Sequence, residues 1–334
     1  MLTRRDRRVI TAAVALFLIS QPLILASIPL DTEGTVKPVV VKKGTHLTET
    51  ARLLKEEDLV RSSSLFMAYS LLVHRGKIMA GEYELTKQLS IAQIAARMAA
   101  GQRKVYMLKI VEGYNLGTVG DALQKAGILD KDAFSRLAKD EAFLNKLGIS
   151  GDTLEGYLAP DTYFYSKETD VDAFLERIVR RTFAFFERED VKARMAELRM
   201  NSYDVLTLAS MIEKEAKIEE EKPLISAVFH NRLQEGMSLD SDPTVMYGIS
   251  MVPKALTRVD LDAPTAYNTY RLKGLPKGPI CTPSTSSLVA ALYPAPSDVL
   301  YFVSRNDGTH VFSRHIKEHN QFVATYQKNK KKKP

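Results

Sequence analysis

From Val9 to Leu30 the chain runs for 22 residues without a charge, VITAAVALFLISQPLILASIPL, directly after Arg4, Arg5, Arg7 and Arg8. A bilayer-spanning helix needs about 20 mostly apolar residues. A buried core helix would not be expected beside four arginines. The run therefore predicts one transmembrane helix over residues 9–30, with residues 1–8 as a cytoplasmic tail. The positive-inside bias keeps the amino terminus in the cytoplasm and exports the chain beyond residue 30. A cleaved signal peptide ending near Ala26-Ser27 is the competing reading, and Gln21-Pro22, which divide the run, lean toward it. On either reading the bulk of the chain works outside the cytoplasmic membrane.

The 334 residues carry 47 basic and 40 acidic side chains, a net charge of +7. Two clusters account for it: residues 4–8 hold +3 and the five lysines of 328–334 hold +5, leaving −1 for everything between. A nucleic-acid binder places its basic surface on the folded domain, so no nucleic-acid partner is expected. The basic tail reads as a solvated chain end. With one cysteine, Cys281, no intramolecular disulfide can form and a Cys-rich zinc site is excluded.

The body contains a weak duplication. At an offset of 69 residues, Gly44, Leu47, Leu54, Leu59 and Val60 match Gly113, Leu116, Leu123, Ile128 and Leu129. At an offset of 80, Tyr83, Leu85, Ser90, Ile91 and Ile94 match Tyr163, Tyr165, Asp170, Val171 and Phe174. Each copy opens on a β-rich run, turns at glycine and continues into an amphipathic helix. Ser90 and Asp170 are placed as helix N-caps. Residues of roughly 38–102 and 107–183 thus read as two strand–helix–helix–strand–helix units, the second with an insertion around Asp152–Asp161. Residues 172–200 read as continuing helix, with Phe174, Ile178 and Phe185 as its core stripe and no chemistry.

The helix expected over Tyr203–Lys217 differs. With Leu208 at zero and about 100° per residue, Ile212 falls near 40°, Met211 near −60°, Glu215 near −20° and Glu213 near 140°. Glu215 therefore enters the apolar stripe, whereas Glu213 falls on the polar side. A carboxyl facing apolar packing is costly unless neutral, partnered or lining a cleft, and burial raises its pKa toward that of a general acid at neutral pH. A solvated last turn is equally compatible with the geometry alone. Downstream, Leu224, Val228 and Leu233 suggest a second helix stopped near Gly236, then a polar loop from Ser238 to Pro243 and a short segment ending at Tyr247. The stretch 264–283 is stiffened by proline and rich in Tyr, Asn and Thr, which suit sugar rings or a core-closing loop.

Other chemistries lack support. His315 and His319 fit H-x-x-E-H, but no acidic residue follows His319, so no metal is predicted. There is no G-x-S-x-G elbow, no S-x-x-K and no phosphate loop. Cys281, between Pro279 and Pro283, reads as structural, and no cofactor is expected.

Four segments carry a resemblance: EGYLAPDTYFY (155–165), LASMIEKEA (208–216), VFHNRLQEGMSLDSDPTVMYG (228–248) and DAPTAYNTYRLKGLP (262–276). Together and in this order they resemble the YceG-like family of endolytic murein transglycosylases. The resemblance implies an α+β chain: a single N-terminal transmembrane helix, a LysM-like α+β module over 36–104, a mixed α/β catalytic domain over 105–327, and the basic tail 328–334. It makes Glu215, the second glutamate of E-K-E, the catalytic acid. Glu155, Asp161, Asn231, Asp242, Tyr247, Tyr267 and Asn268 become candidates to line the cleft and bind substrate, although Asp161 and Asp242 adjoin prolines and could simply fix turns. The implied reaction cleaves peptidoglycan glycan strands between N-acetylmuramic acid and N-acetylglucosamine, without water, leaving 1,6-anhydro ends. The implied setting is the bacterial cytoplasmic membrane, beside cell-wall synthases. A hydrolytic muramidase and a non-enzymatic, tethered glycan-binding scaffold remain the alternatives.

Overall fold

The structure, a computed structural model, describes residues 10, 11, 20, 21, 23–250 and 256–328. Residues 9, 12–19 and 22 of the 9–30 run, and all of residues 1–8 and 329–334, lie outside the described residues. Among those described, no helix is long and apolar enough to cross a membrane. The rest is a mixed α+β chain that divides into two compact units. One is built from residues up to 107 with 164–170, the other from 108–163 and from 171 onward.

In the first unit, strand β1 (Lys37–Val41) pairs antiparallel with β2 (Gly81–Leu85), Lys37 opposite Leu85 and Val41 opposite Gly81. Helices α1 (Leu47–Glu56) and α2 (Ser63–His74) lie between them in sequence, and α3 (Ile91–Ala100) comes after. Alternation along β1 buries Val39 and Val41, which join Leu54, Tyr83, Leu85, Ile94 and Met98 in one core. Ser90 caps α3 as expected: its hydroxyl accepts the Gln93 N–H at 3.2 Å while the Gln93 side chain accepts the Ser90 N–H at 2.9 Å. Ala26 is buried in the same core, and the N–H groups of Leu30 and Asp31 both donate to the Lys87 carbonyl at 3.1 Å. The chain leaving the apolar run is therefore docked on this unit.

The second copy is larger than the repeat suggests. It runs β3 (Tyr106–Ile110), α4 (Leu116–Lys125), α5 (Lys131–Leu137), α6 (Glu141–Leu147), β4 (Asp161–Tyr165) and α7 (Val171–Phe186), with β3 and β4 paired. The additional material thus includes a whole helix, α6, ahead of Asp152. Continuous helix over 172–200 also does not hold. The chain breaks after Phe186, and α8 (Glu189–Leu198) starts behind Arg188, whose backbone is extended. Phe174, Ile178 and Phe185 are buried on α7 as the stripe requires.

The remaining elements build around α9 (Ser202–Glu215), opened by an Asn201/Asp204 capping box. Every residue from Val205 to Ile212 is buried, so α9 is enclosed on all sides and not along one stripe. Next come α10 (Lys222–Gln234), α11 (Asp242–Gly248), α12 (Arg258–Leu261), α13 (Thr285–Leu292), the hairpin of β5 (Tyr301–Ser304) and β6 (His310–Ser313), and α14 (Ile316–Val323). Gly236 lies just past α10 at a φ of +66°, a left-handed turn that glycine adopts without strain.

Candidate active site

Glu215 is the last residue of α9. Its carboxyl is half-buried, and Oε1 accepts a hydrogen bond of 2.6 Å from the Ser241 hydroxyl. Burial raises its pKa from the usual carboxylate range to about 7. The Ser241 bond pulls the other way, and the negative charge of Asp242 pushes it up again. A helix carboxyl terminus also disfavours negative charge. The group therefore holds a proton at neutral pH yet can release it, as a general acid must.

Ser241 is held hard in place. Its N–H donates to the Thr269 hydroxyl at 3.0 Å, and its carbonyl accepts from the Thr244 hydroxyl at 2.7 Å. With the Thr244 proton so used, the Thr269 hydroxyl donates to Thr244 Oγ1 across 2.8 Å. All three residues are buried. The preceding loop is fixed from α10. The buried Arg232 donates to the carbonyls of Leu300 and Ser238 and pairs with Asp240 at 2.8 Å. Asp240 takes a φ of +49°, a left-handed conformation that Asp tolerates better than most residues, immediately before Ser241. Asp242 opens α11, and its carboxylate accepts the Tyr270 hydroxyl at 2.7 Å.

A second buried carboxyl lies at the other end of α11. Glu155 is 2% exposed; its Oε2 accepts from the Leu116 N–H at 3.1 Å and from the Tyr247 hydroxyl at 2.9 Å. Burial again dominates and raises its pKa to about 7. The Tyr247 ring packs against Tyr267, centroids 4.8 Å apart. Asn268 is fully buried and is the brace of this loop: its amide donates to the carbonyls of Leu261 and Ala263 at 2.8 Å, and its Oδ1 accepts the Tyr270 N–H at 3.0 Å.

The structure thus joins Glu215 with Asp242, and Glu155 with Tyr247 and Tyr267, through α11. Two other candidates have different partners. Asp161 pairs with Arg181 at 2.6 Å, and the Asn231 amide donates to the carbonyls of Ser297 and Val299. Sequence reasoning did not single out Ser241 and Tyr270. The only signal was their position inside the polar loop and the Tyr/Asn-rich stretch; their pairing with Glu215 and Asp242 is a long-range event.

Glu213 is not on a solvated face. Its Oε2 accepts from the Ser284 N–H at 2.9 Å, from the Ser284 hydroxyl at 2.5 Å and from the Ser287 hydroxyl at 2.7 Å, with the buried Lys222 ammonium 3.5 Å away. It ties the end of α9 to the start of α13. Cys281 is buried and donates its thiol to the Ser210 carbonyl; burial raises its pKa well above the usual value, which leaves it unreactive. Among the described residues no three of His, Cys, Asp or Glu are grouped to hold a metal ion.

The YceG-like family matches residues 39–325, and the chain belongs to that family. Among its relatives is the endolytic murein transglycosylase of Bacillus subtilis strain 168, 29% identical over 326 residues that cover 93% of this chain and 90% of that protein. The endolytic murein transglycosylase of Streptococcus pneumoniae serotype 2 is 26% identical over 91% of this chain, but the match spans only 61% of that longer protein. Among solved structures, that of a yceG-like protein from Listeria monocytogenes aligns with a TM-score of 0.59 at 29% identity, covering 87% of this chain and all of the other.

Proposed function

We propose that this chain is an endolytic murein transglycosylase that cuts peptidoglycan strands between N-acetylmuramic acid and N-acetylglucosamine. The observation that carries the reading is Glu215, a carboxyl raised to about 7 and steadied by one hydroxyl donor. Protonated Glu215 gives its proton to the glycosidic oxygen as the bond to the anomeric carbon breaks. The muramic C6 hydroxyl then bonds that carbon, and its proton returns to the Glu215 carboxylate. Atoms balance without water, the product is a 1,6-anhydro end, and the enzyme is restored. Two-carboxylate glycosidases instead activate water or form a covalent intermediate. On the hydrolytic alternative, Asp242 is the neighbouring carboxylate that would activate water.

On this proposal the first unit is a LysM-like module (36–104) and residues 105–327 are the catalytic domain. Residues 9–30 anchor the chain in the bacterial cytoplasmic membrane, amino terminus inside, so that the catalytic domain meets strands outside, close to cell-wall synthases. Ala26 lies in the core of the first unit and Leu30 and Asp31 are hydrogen-bonded to it, so the membrane-embedded part of the run ends ahead of Ala26. That the core includes Ala26 supports retention of the run, since cleavage after Ala26 would remove a buried core residue.

Digestion of purified sacculi by the wild type and by Glu215→Gln tests the chemistry. Anhydro ends, one water lighter than reducing ends by mass spectrometry, are expected from the wild type, with activity lost by several orders of magnitude in the variant. Dominant reducing ends would turn the assignment to hydrolysis. Full activity in Glu215→Gln would discard Glu215 as the acid.

A further inference from the structure

We infer that Glu155 is a positioning residue for Glu215, acting through α11 from the end of that helix opposite Ser241. The inference rests on the reading of Glu215 as the acid. Helix α11 has seven residues, roughly 10 Å of rise. At its start, Ser241 donates to Glu215 and Asp242 sets the field on it. In its last turn, Tyr247 donates to Glu155. A single short helix is thus fastened at one end to the half-buried Glu215 carboxyl and at the other to the buried Glu155 carboxyl, and a tilt or slide at one end is felt at the other. A shift of a few tenths of an ångström at Ser241 would lengthen a 2.6 Å hydrogen bond that favours the ionised acid.

The fastening at Glu155 is built rather than incidental. The same oxygen takes the Leu116 N–H, so α11 is referenced to the first residue of α4. Tyr247 cannot easily swing away, because its ring lies on Tyr267. A Cβ on Gly248 would collide with Thr265 Oγ1 and stand 3.1 Å from Tyr267 Cβ, so the backbone beside Tyr247 lies close against that loop. The other ionisable groups facing Glu155 are Tyr267, Lys214 and Cys281. Lys214 donates to the Gly113 carbonyl and remains exposed, so it does not substitute for Tyr247 as a link to α11. Both bonds need an acceptor oxygen at Glu155 and neither needs its acidity, which separates this role from that of a second catalytic carboxyl.

Three variants test it on soluble glycan strands: Glu155→Ala, Glu155→Gln and Tyr247→Phe. In Glu155→Ala and Tyr247→Phe, kcat is expected to fall about tenfold or more with KM within about twofold. The basic limb of the pH profile should move upward, because a looser Ser241 bond lets the pKa of Glu215 rise. Glu155→Gln keeps an oxygen for both donors and should recover most of the lost rate and the original limb. A folded Glu155→Gln as inactive as Glu155→Ala would overturn the proposal and give the Glu155 carboxyl a direct part in the chemistry. Unchanged kcat and pH limb in Tyr247→Phe would overturn it too; that variant removes one oxygen atom and keeps the question decidable if Glu155→Ala does not fold. The product ends made by the wild type report on the transglycosylase reading separately.

Discussion

Replacing Ser241 by alanine isolates the one hydrogen bond that holds the proposed acid in check. The Ser241 hydroxyl donates to Glu215 Oε1 at 2.6 Å and favours the carboxylate, so it keeps the pKa lower than burial and Asp242 alone would set it. Hydrogen bonds to charged groups contribute about 1.5–3 kcal/mol. At about 1.4 kcal/mol per pH unit, that is roughly one to two units. Glu215 keeps a solvent edge, which argues for the lower figure. The pKa should therefore climb from about 7 to about 8. The backbone bonds that Ser241 makes to Thr269 and Thr244 do not involve the lost hydroxyl, so the start of α11 should stay in place. The assay is kcat/KM for strand cleavage between about pH 5 and pH 9, whose basic limb reports the acid of the free enzyme. An upward shift of about one unit is expected. A limb that stays put, or moves down, would refute the electrostatic account of the site.

Stability should carry the same signature. Glu155 and Glu215 have native pKa values of about 7, above their ordinary value of 4.5, so the native state binds more protons in that window. Stability is then greatest below about pH 4.5 as far as these two groups go, and is lost as pH rises through about 7, on the order of 3 kcal/mol for each. Carboxylates held low, such as Glu82 beneath Lys167, oppose this at more acidic pH. Urea unfolding at about pH 5 and pH 7.5 should show a difference that shrinks in Glu155→Gln/Glu215→Gln; an equal difference in both chains would contradict it. On the proposed topology the full chain should stay with membranes through an alkaline wash and deletion of residues 1–22 should release it; persistent pelleting of the shortened chain would count against residues 9–30 as the anchor.

What could be read in advance depended on how local the cause was. Ser90 as a cap is a property of a four-residue stretch, and it stands as expected. Helical spacing sets Glu215 in line with Leu208, Met211 and Ile212, which are buried, but Glu215 itself is half-buried at the last turn and its named partners are polar. The spacing did not extend to Glu213. A wheel sorts residues into inside and outside on the assumption of one buried face, and α9 has none free between Val205 and Ile212. Ser284 and Ser287, which meet Glu213, come from some 70 residues downstream. Helix α6 was hidden for another reason: a repeat shows only the positions its two copies share, and α6 has no counterpart in the first copy. The break at Arg188 lies beyond the repeated segments, in a charge-dense stretch with no proline or glycine to mark it.

On the proposed reading, the two glutamates at the end of α9 divide support from chemistry within one helix turn. Glu213 Oε2 is filled by three donors with an ammonium beyond, and what it holds is the N-terminal turn of α13. Oxygen lone pairs so occupied are closed to a sugar. Glu215, two residues on, has one hydroxyl donor, a negative neighbour and the negative end of a helix. Exchanging these surroundings would leave both carboxyls in the sequence and remove the proton-holding group. The chemistry therefore resides less in the E-K-E triplet than in what α11 and α13 bring to it. Glu213 ties the end of α9 to the start of α13, and Glu215 lies two residues beyond that tie.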